Sequence, residues 1–313
     1  MKTLFPIIIA LLFCSSCTKW RLIEGNYDTK TLVPRSLFQS DNSEIYLGAR
    51  QGLYKLHTNN KFIHIDIPVS DKNTLRGFTE LNGFMYAGFE GAGLFRSEDK
   101  GITWNKLDEN KIGDKIWGIH SYDSVLIVVT WPRFIYRSSD NGKTWLDISH
   151  GMPEDGMGVW STQILKDSFL FCSVFNEGIF RKGINETKWI RMSEGLPEDK
   201  KVRGIEKFNN TIFCGTENGV YKSENNGESW LPYNEGMKKV MIISFLSTEN
   251  KMFATSNQGR VYSLVNGKWN LIAKGLHKDD VVYDIVKNET DLLISVDGQG
   301  KNLSGVYSLK IPK

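Results

Sequence analysis

Apolar residues recur along the chain in short alternating runs, and each run is cut by Gly, Asn or Asp. Segments such as "GVYKS", "TIFCGT" and "KVRGIEKF" show the period-two pattern of half-buried strands, and no stretch sustains a helical period. One aromatic position returns in phase at Tyr54, Phe95, Tyr136, Phe180, Tyr221, Tyr262 and Tyr307, with gaps of 41, 41, 44, 41, 41 and 45 residues. A second ladder runs through Phe62, Trp104, Trp145, Trp189, Trp230 and Trp269. The chain is therefore a repeat array, in which each unit buries its apolar face against a neighbour.

Each repeat predicts four strands. In the repeat that begins at Lys201, the expected strands are 202–207, 211–215, Gly219–Ser223 and 229–233, separated by turn residues. Four short strands in roughly 40–45 residues match a β-propeller blade, whereas solenoid repeats are usually shorter. The last repeat supplies three strands ("DVVYDIV", "DLLISVD", "GVYSLKI") before Lys313, while "KWRLIEG" near the start has no partner strands before it. That segment matches the outer strands "TWNKLD", "TWLDIS", "KWIRMS" and "KWNLIA", and its Trp20 precedes Phe62 by 42 residues, one repeat. The expectation is an all-β, seven-bladed β-propeller of four-stranded antiparallel blades over residues 17–313. Residues 17–25 then serve as the latch strand of blade 7, which removes an open edge.

Composition narrows the function. The 313 residues are 40% hydrophobic and 24% charged with a formal charge of +3, enough for a large core and without the clustered basic face of a nucleic-acid binder. The start "MKTLFPIIIALLFCSSC" has a basic residue, about ten apolar residues and a small-residue stretch, as an export signal over residues 1–16 requires. Its end resembles a bacterial lipobox, with Cys14 where Leu is usual. The resemblance implies lipidation at Cys17 and a bacterial envelope protein anchored to the outer membrane, in the periplasmic or surface leaflet. Simple cleavage to a soluble exported protein is the alternative. Of the remaining cysteines, Cys172 and Cys214 occupy the same strand position in adjacent repeats and are expected as buried free thiols.

Between the third and fourth strands lies a polar turn: "SEDKGITW" at Ser97, Asp99, Gly101 and Trp104, and "SSDNGKTW" at Ser138, Asp140, Gly142 and Trp145. A looser copy, "SENNGESW", carries Ser223, Asn225, Gly227 and Trp230. These turns resemble the Asp-box (BNR) repeats of the sialidase-like propellers, a group that includes xyloglucanases, sortilin-type receptor domains and photosystem II assembly factors. The resemblance spans residues 19–313 and implies that the boxes shape the fold, on the face opposite the usual ligand site. The chemistry agrees, because a short acceptor side chain can bind turn amides and Gly can take positive φ.

Function is therefore sought on the other face. A small residue recurs at the start of each first strand (Ser36, Gly77, Gly118, Ser161, Gly204 and Ser244, with Asp284 in the seventh), as crowding around a channel demands. Just before it stand Arg35, Arg76, Trp117, Trp160, Arg203, Ile243 and Tyr283. These large residues either pack between blades, arginine stems included, or form a basic, aromatic mouth for an anionic or glycan ligand. Three Trp lie outside the Trp20-to-Trp269 ladder, namely Trp117, Trp131 and Trp160. With Arg133, Phe175 and Glu177 they are a candidate platform for a sugar or peptide.

Sialidases use three arginines, a Tyr–Glu pair and an Asp acid. Arg35, Arg76 and Arg203 match the arginines in type, but the Arg-Ile-Pro signature is absent, and "LVPRSL" places Pro before Arg. His57, His64, His120, His150 and His277 are scattered, so no metal and no cofactor is expected. The leading expectation is a non-catalytic lipoprotein that binds an envelope or membrane protein, or a glycan, at the channel mouth. A sialidase-like glycoside hydrolase or glycan-binding module, and an assembly factor for a membrane protein complex, are the alternatives.

Overall fold

The computed structural model describes residues 19–40, 42–70, 73–107, 109–132, 134–154, 158–165, 169–183, 185–199, 201–273, 275–299 and 302–310, with 109–110 and 160–165 as backbone only. The export segment 1–16, Cys17, Arg133 and the side chain of Trp160 lie outside the described residues. The described chain is all-β apart from one helical turn, Glu109–Ile112, whose Ile112 is buried between the second and third repeats.

Five separate four-stranded antiparallel sheets form, together with one sheet of eight strands. The eight-stranded sheet is two four-stranded units side by side. Pro34–Gln39, Ile45–Ala49, Gly52–Leu56 and Lys61–Ile65 make the first unit, and Val281–Lys287, Asp291–Asp297, Gly305–Lys310 and Arg21–Gly25 make the last. The first strands of all the units pack successively and return to the start, Pro34–Gln39 against Val281–Lys287, so the units close a ring.

The N-terminal strand reaches further than expected. Leu22 pairs with Tyr307 and Ile23 with Val306 in the antiparallel register of an outer strand. Its other edge pairs in parallel with the outer strand of the first unit, Glu24 opposite Lys61 and Gly25 opposite Phe62. Asn26 extends that seam, since its amide donates to the Phe62 carbonyl and its side chain accepts from the His64 amide at 2.9 Å. One strand thus closes two units on each other. Trp20 and Ile23 carry this seam into the core.

The outer strands are shorter than the pattern predicted. In the repeat from Lys201 the outer strand is Leu231–Pro232 rather than 229–233, and three other units also have two-residue outer strands. The polar turn uses the residues up to Trp230, and such short edges offer little to a foreign strand. The core lies between units. Trp189, Trp230 and Trp269 are buried, and each indole donates to a carbonyl of the preceding unit: Ile148, Met192 and Tyr233 at 2.8, 2.8 and 2.9 Å. Their backbone amides donate to His150, Glu194 and Glu235, each followed by a positive-φ Gly. The recurrent His/Glu-Gly pair is therefore an inter-unit clasp. Cys172 and Cys214 are buried free thiols.

A candidate ligand site at the channel mouth

The polar turns are self-contained. Ser97 Oγ accepts from the Gly101 amide and donates to Asp99, and Asp99 accepts from the Thr103 amide at 2.8 Å and hydroxyl at 2.6 Å. Ser138, Asp140, Gly142 and Thr144 repeat the pattern, with 2.9 and 2.6 Å for the two Thr144 bonds. Asn225 serves in the third turn, and its Nδ2 donates to Ser229. The Thr103 and Thr144 donors hold Asp99 and Asp140 at about 2, below the usual carboxylate value. Two of the three turns also clamp the preceding unit, because Arg96 donates to the Asn141 carbonyl and Arg181 to that of Asn226. Asn82, in the first-to-second-strand turn of its unit, bonds Asn141, so these two turn types share one face.

The ring of large residues lies at a repeated backbone irregularity. Every first strand slips register once: between Pro34 and Ser36, Leu75 and Gly77, Ile116 and Gly118, and Val159 and Ser161. The slips continue between Val202 and Ile205, Ile242 and Phe245, and Val282 and Asp284. The slipped residues include Arg35, Arg76, Trp117, Trp160, Arg203, Ile243 and Tyr283. A bulge leaves its extra residue out of the ladder and re-aims its side chain. The small residue that follows is required by close approach of the strands. A Cβ on Gly77 would lie 2.7 Å from the Ile119 amide nitrogen, and one on Gly204 2.8 Å from the Ile243 carbonyl.

The result is a cavity of about 750 Å³ down the ring axis, lined by Arg35, Arg76, Trp117, Arg203, Ile243 and Tyr283 of this ring. A contiguous recess of about 390 Å³ brings Arg50, Thr74 and Glu90 beside Arg35 and Arg76. Six of the seven ring positions therefore share one space. The Arg35 guanidinium lies 4.7 Å over the Tyr283 ring, and its buried Nε has no protein partner. Arg76 lies 3.9 Å over Trp117 and binds Glu90 through Nε at 2.9 Å and through Nη2. Burial lowers the Arg203 guanidinium from its ordinary value, and Glu217 and Tyr283 oppose that shift. Trp131 packs against Trp117 with ring centroids 5.1 Å apart and planes tilted by 45°, is 38% exposed, and covers Gly158 of the next unit. Glu177 pairs with Arg191 of an outer strand.

Deeper in the cavity the lining changes. Phe38, His120, Glu206, Phe245 and Asp284 face it. Asp284 takes the place of a small residue because it ties units together: it accepts from the Leu37 amide (3.0 Å), the Ser244 hydroxyl (2.8 Å) and the Ile285 amide (2.9 Å). Glu206 accepts from Ser247 Oγ at 2.5 Å, and burial raises its carboxyl to about 7, with Asp284 adding to the rise. Burial lowers His120 to about 4, so it is neutral at physiological pH.

No protein-family model matches the chain. Among curated proteins it is similar to the vacuolar protein sorting/targeting protein 10 of Fusarium vanettenii, 32% identical over 79 residues, and to that of Colletotrichum graminicola, 32% over 83. Each match covers 25% of this chain, and the chain matches about 5% of the length of those relatives. Solved structures overlay far more of it. The extracellular domain of the hybrid two-component system BT4673 from B. thetaiotaomicron superposes with a TM-score of 0.76 at 12% identity, covering 95% of this chain and 40% of that one. YCF48 bound to a D1 peptide gives 0.74 at 14%, covering 95% and 97%. A catalytically inactive virginiamycin B lyase from Staphylococcus aureus with quinupristin gives 0.76 at 14%, covering 94% and 100%. The chain is a β-propeller.

Two residues of the propeller's mouth were missed by the sequence reading. Arg50 sits in the turn "GARQG" and Glu90 in "GFEGAG", where a lone charge reads as a solvated loop. Glu90 ends the second strand of its blade opposite Thr74, which begins the first, so the hairpin brings it within reach of Arg76 at the bulge two residues on. No Tyr–Glu hydrogen bond stands at the mouth among the described residues. The described Tyr46–Glu44 bond involves the second strand of the first blade and residues outside the cavity lining.

Proposed function

We propose that this protein is a non-catalytic binding propeller of the Asp-box type, exported and lipid-anchored at Cys17 in a bacterial envelope, that takes an anionic segment of a protein partner at the channel mouth. The observation that carries this is the ring of bulges, which turns Arg35, Arg76, Arg203, Trp117 and Tyr283 toward one cavity instead of into the blade cores. Guanidinium groups over aromatic faces are held in place and partly desolvated, so they bind carboxylates more strongly than freely hydrated ammonium groups do. The turns on the opposite face spend their polar atoms on one another and on the preceding blade, which leaves them a structural role. YCF48, a neighbour in fold, is bound to a peptide, and BT4673 uses this fold in an extracellular domain. The first supports a peptide ligand and the second an exported propeller.

The sialidase-like alternative draws on the three arginines sharing one cavity with Tyr283. Against it, Tyr283 is stacked under Arg35 and has no carboxylate partner among the described residues, and Arg76 is committed to Glu90. The test is capture from detergent-solubilised membranes by wild type and by Trp131→Ala. Stoichiometric recovery of one membrane protein, lost in the variant, supports the reading. Hydrolysis of sialosides by the purified protein overturns it.

A further inference from the structure

The cavity is layered by charge. Its mouth carries Arg35, Arg76 and Arg203, with Arg50 in the adjoining recess. Three residues further along the inner strands, the lining holds Glu206, His120 and Phe38, and Asp284 is close enough to act on the Glu206 carboxyl. No Lys or Arg lines this deeper level among the described residues. Between the two registers stand Phe245 and Asp284, two residues and one residue after the ring position of their strands. Among the described residues, Arg35 Nε, Ser36 Oγ and Asn257 Oδ1 are wall atoms buried without a protein hydrogen-bond partner. They offer a donor, a hydroxyl and an acceptor at different places on the wall, as a ligand with its own amides would use.

We propose that the channel holds a short peptide with free termini, its amino group inward at Glu206 and its carboxylate outward at Arg35 and Arg203. This rests on reading the mouth as an anion site and adds the chemistry of the ligand's other end. Length agrees with charge. Arg203 and Glu206 are three residues apart on one strand, at most roughly 10 Å at the rise of a β-strand and less across the bulge they span. An extended tripeptide spans about 10 Å, and a cavity of this size lies within the range of small-ligand sites. An ammonium group at the deep level also relieves the burial that raises the Glu206 carboxyl, whereas His120 stays neutral and does not compete for it.

The probe is a mixture of random tripeptides with free termini, compared with the same mixture N-acetylated, each at millimolar concentration and read by native mass spectrometry. Wild-type protein is expected to retain free-ended tripeptides and to lose at least about tenfold in occupancy for the acetylated set, since an interfacial charge partner is then unpaired. Glu206→Gln is expected to bind the two sets alike, and Arg35→Ala to bind neither, with thermal melting of both variants confirming that they fold. Equal binding of both sets by wild type overturns the inference and leaves the anion-binding mouth standing. Binding of neither set also overturns it, and the mouth is then judged separately by the membrane capture and the Trp131→Ala variant.

Discussion

Glu206→Gln is expected to stabilise the protein above neutral pH. The carboxyl sits at about 7 in the folded protein against 4.5 when exposed, chiefly because burial disfavours its charge. Between those values the folded state binds more protons than the unfolded state, so stability falls as pH rises from about 4.5 to about 7 and then stays low. The full cost at pH 8 is about 3 kcal/mol at 1.36 kcal/mol per unit. Channel water makes that an upper figure. Gln is close in size, keeps an acceptor for the Ser247 hydroxyl, and never ionises, so it removes the cost without opening a hole. For a chain of this length, about 3 kcal/mol corresponds to a Tm rise of roughly 5 °C. Melting followed by circular dichroism at pH 5 and pH 8 is the assay, with a gain expected at pH 8 and little or none at pH 5. A variant less stable than wild type at pH 8, or a gain equal at both pH values, would refute the reasoning.

The polar turns give the opposite sign. Asp99 and Asp140 lie near 2, below the ordinary 3.8, so their contribution is present above about 3.8 and lost as pH falls toward 2; a double Asp99→Asn, Asp140→Asn variant should show a flatter acid-unfolding curve than wild type. Gly195→Ala should cost several kcal/mol, measured by urea unfolding, because φ is +82° and the new Cβ would lie 2.2 Å from the Trp230 carbonyl oxygen. Removing residues 19–24 should lower Tm by many degrees, since Trp20 and Ile23 are buried and the strand joins two blades; an unchanged Tm would contradict that closure. Glu90→Gln should strengthen anion binding at the mouth and make it more salt-dependent, as read by titration with a carboxylate peptide.

The repeat period made the strand order and the ring of first-strand residues legible. Tyr54 and its six equivalents fall in the third strands, and Phe62 and the Trp ladder mark the entries to the outer ones. What stayed hidden depends on pairing between distant residues. The parallel seam at Glu24–Lys61 has no signal, because edge pairing of two polar-faced strands leaves the alternation of each unchanged. The same holds for Glu90, which meets Arg76 only through hairpin register. The bulges were invisible as such, although the large–small pair they require, Arg76–Gly77 or Arg203–Gly204, was conspicuous. Asp284 looked like an exception to a small-residue rule and is instead the polar tie between the first, sixth and seventh blades, where the ring closes.

The mouth is not a uniform basic ring, and its pairing decides which arginine meets a ligand first. Arg76 spends two donors on Glu90 and one ring face on Trp117. An anion there must displace a formed charge-assisted pair, which returns little net energy. Glu217 pairs with Lys201 at 3.4 Å, so its hold on Arg203 is shared. Arg35 forms no ion pair among the described residues, and Tyr283 covers one face of its guanidinium. An incoming carboxylate thus gains most at Arg35, beside Arg50 in the recess and with Arg203 across the same cavity, while Arg76 and the Trp117–Trp131 pair line another part of the wall. That arrangement favours a ligand that presents its anion toward the first and last blades, beside the seam made by the N-terminal strand.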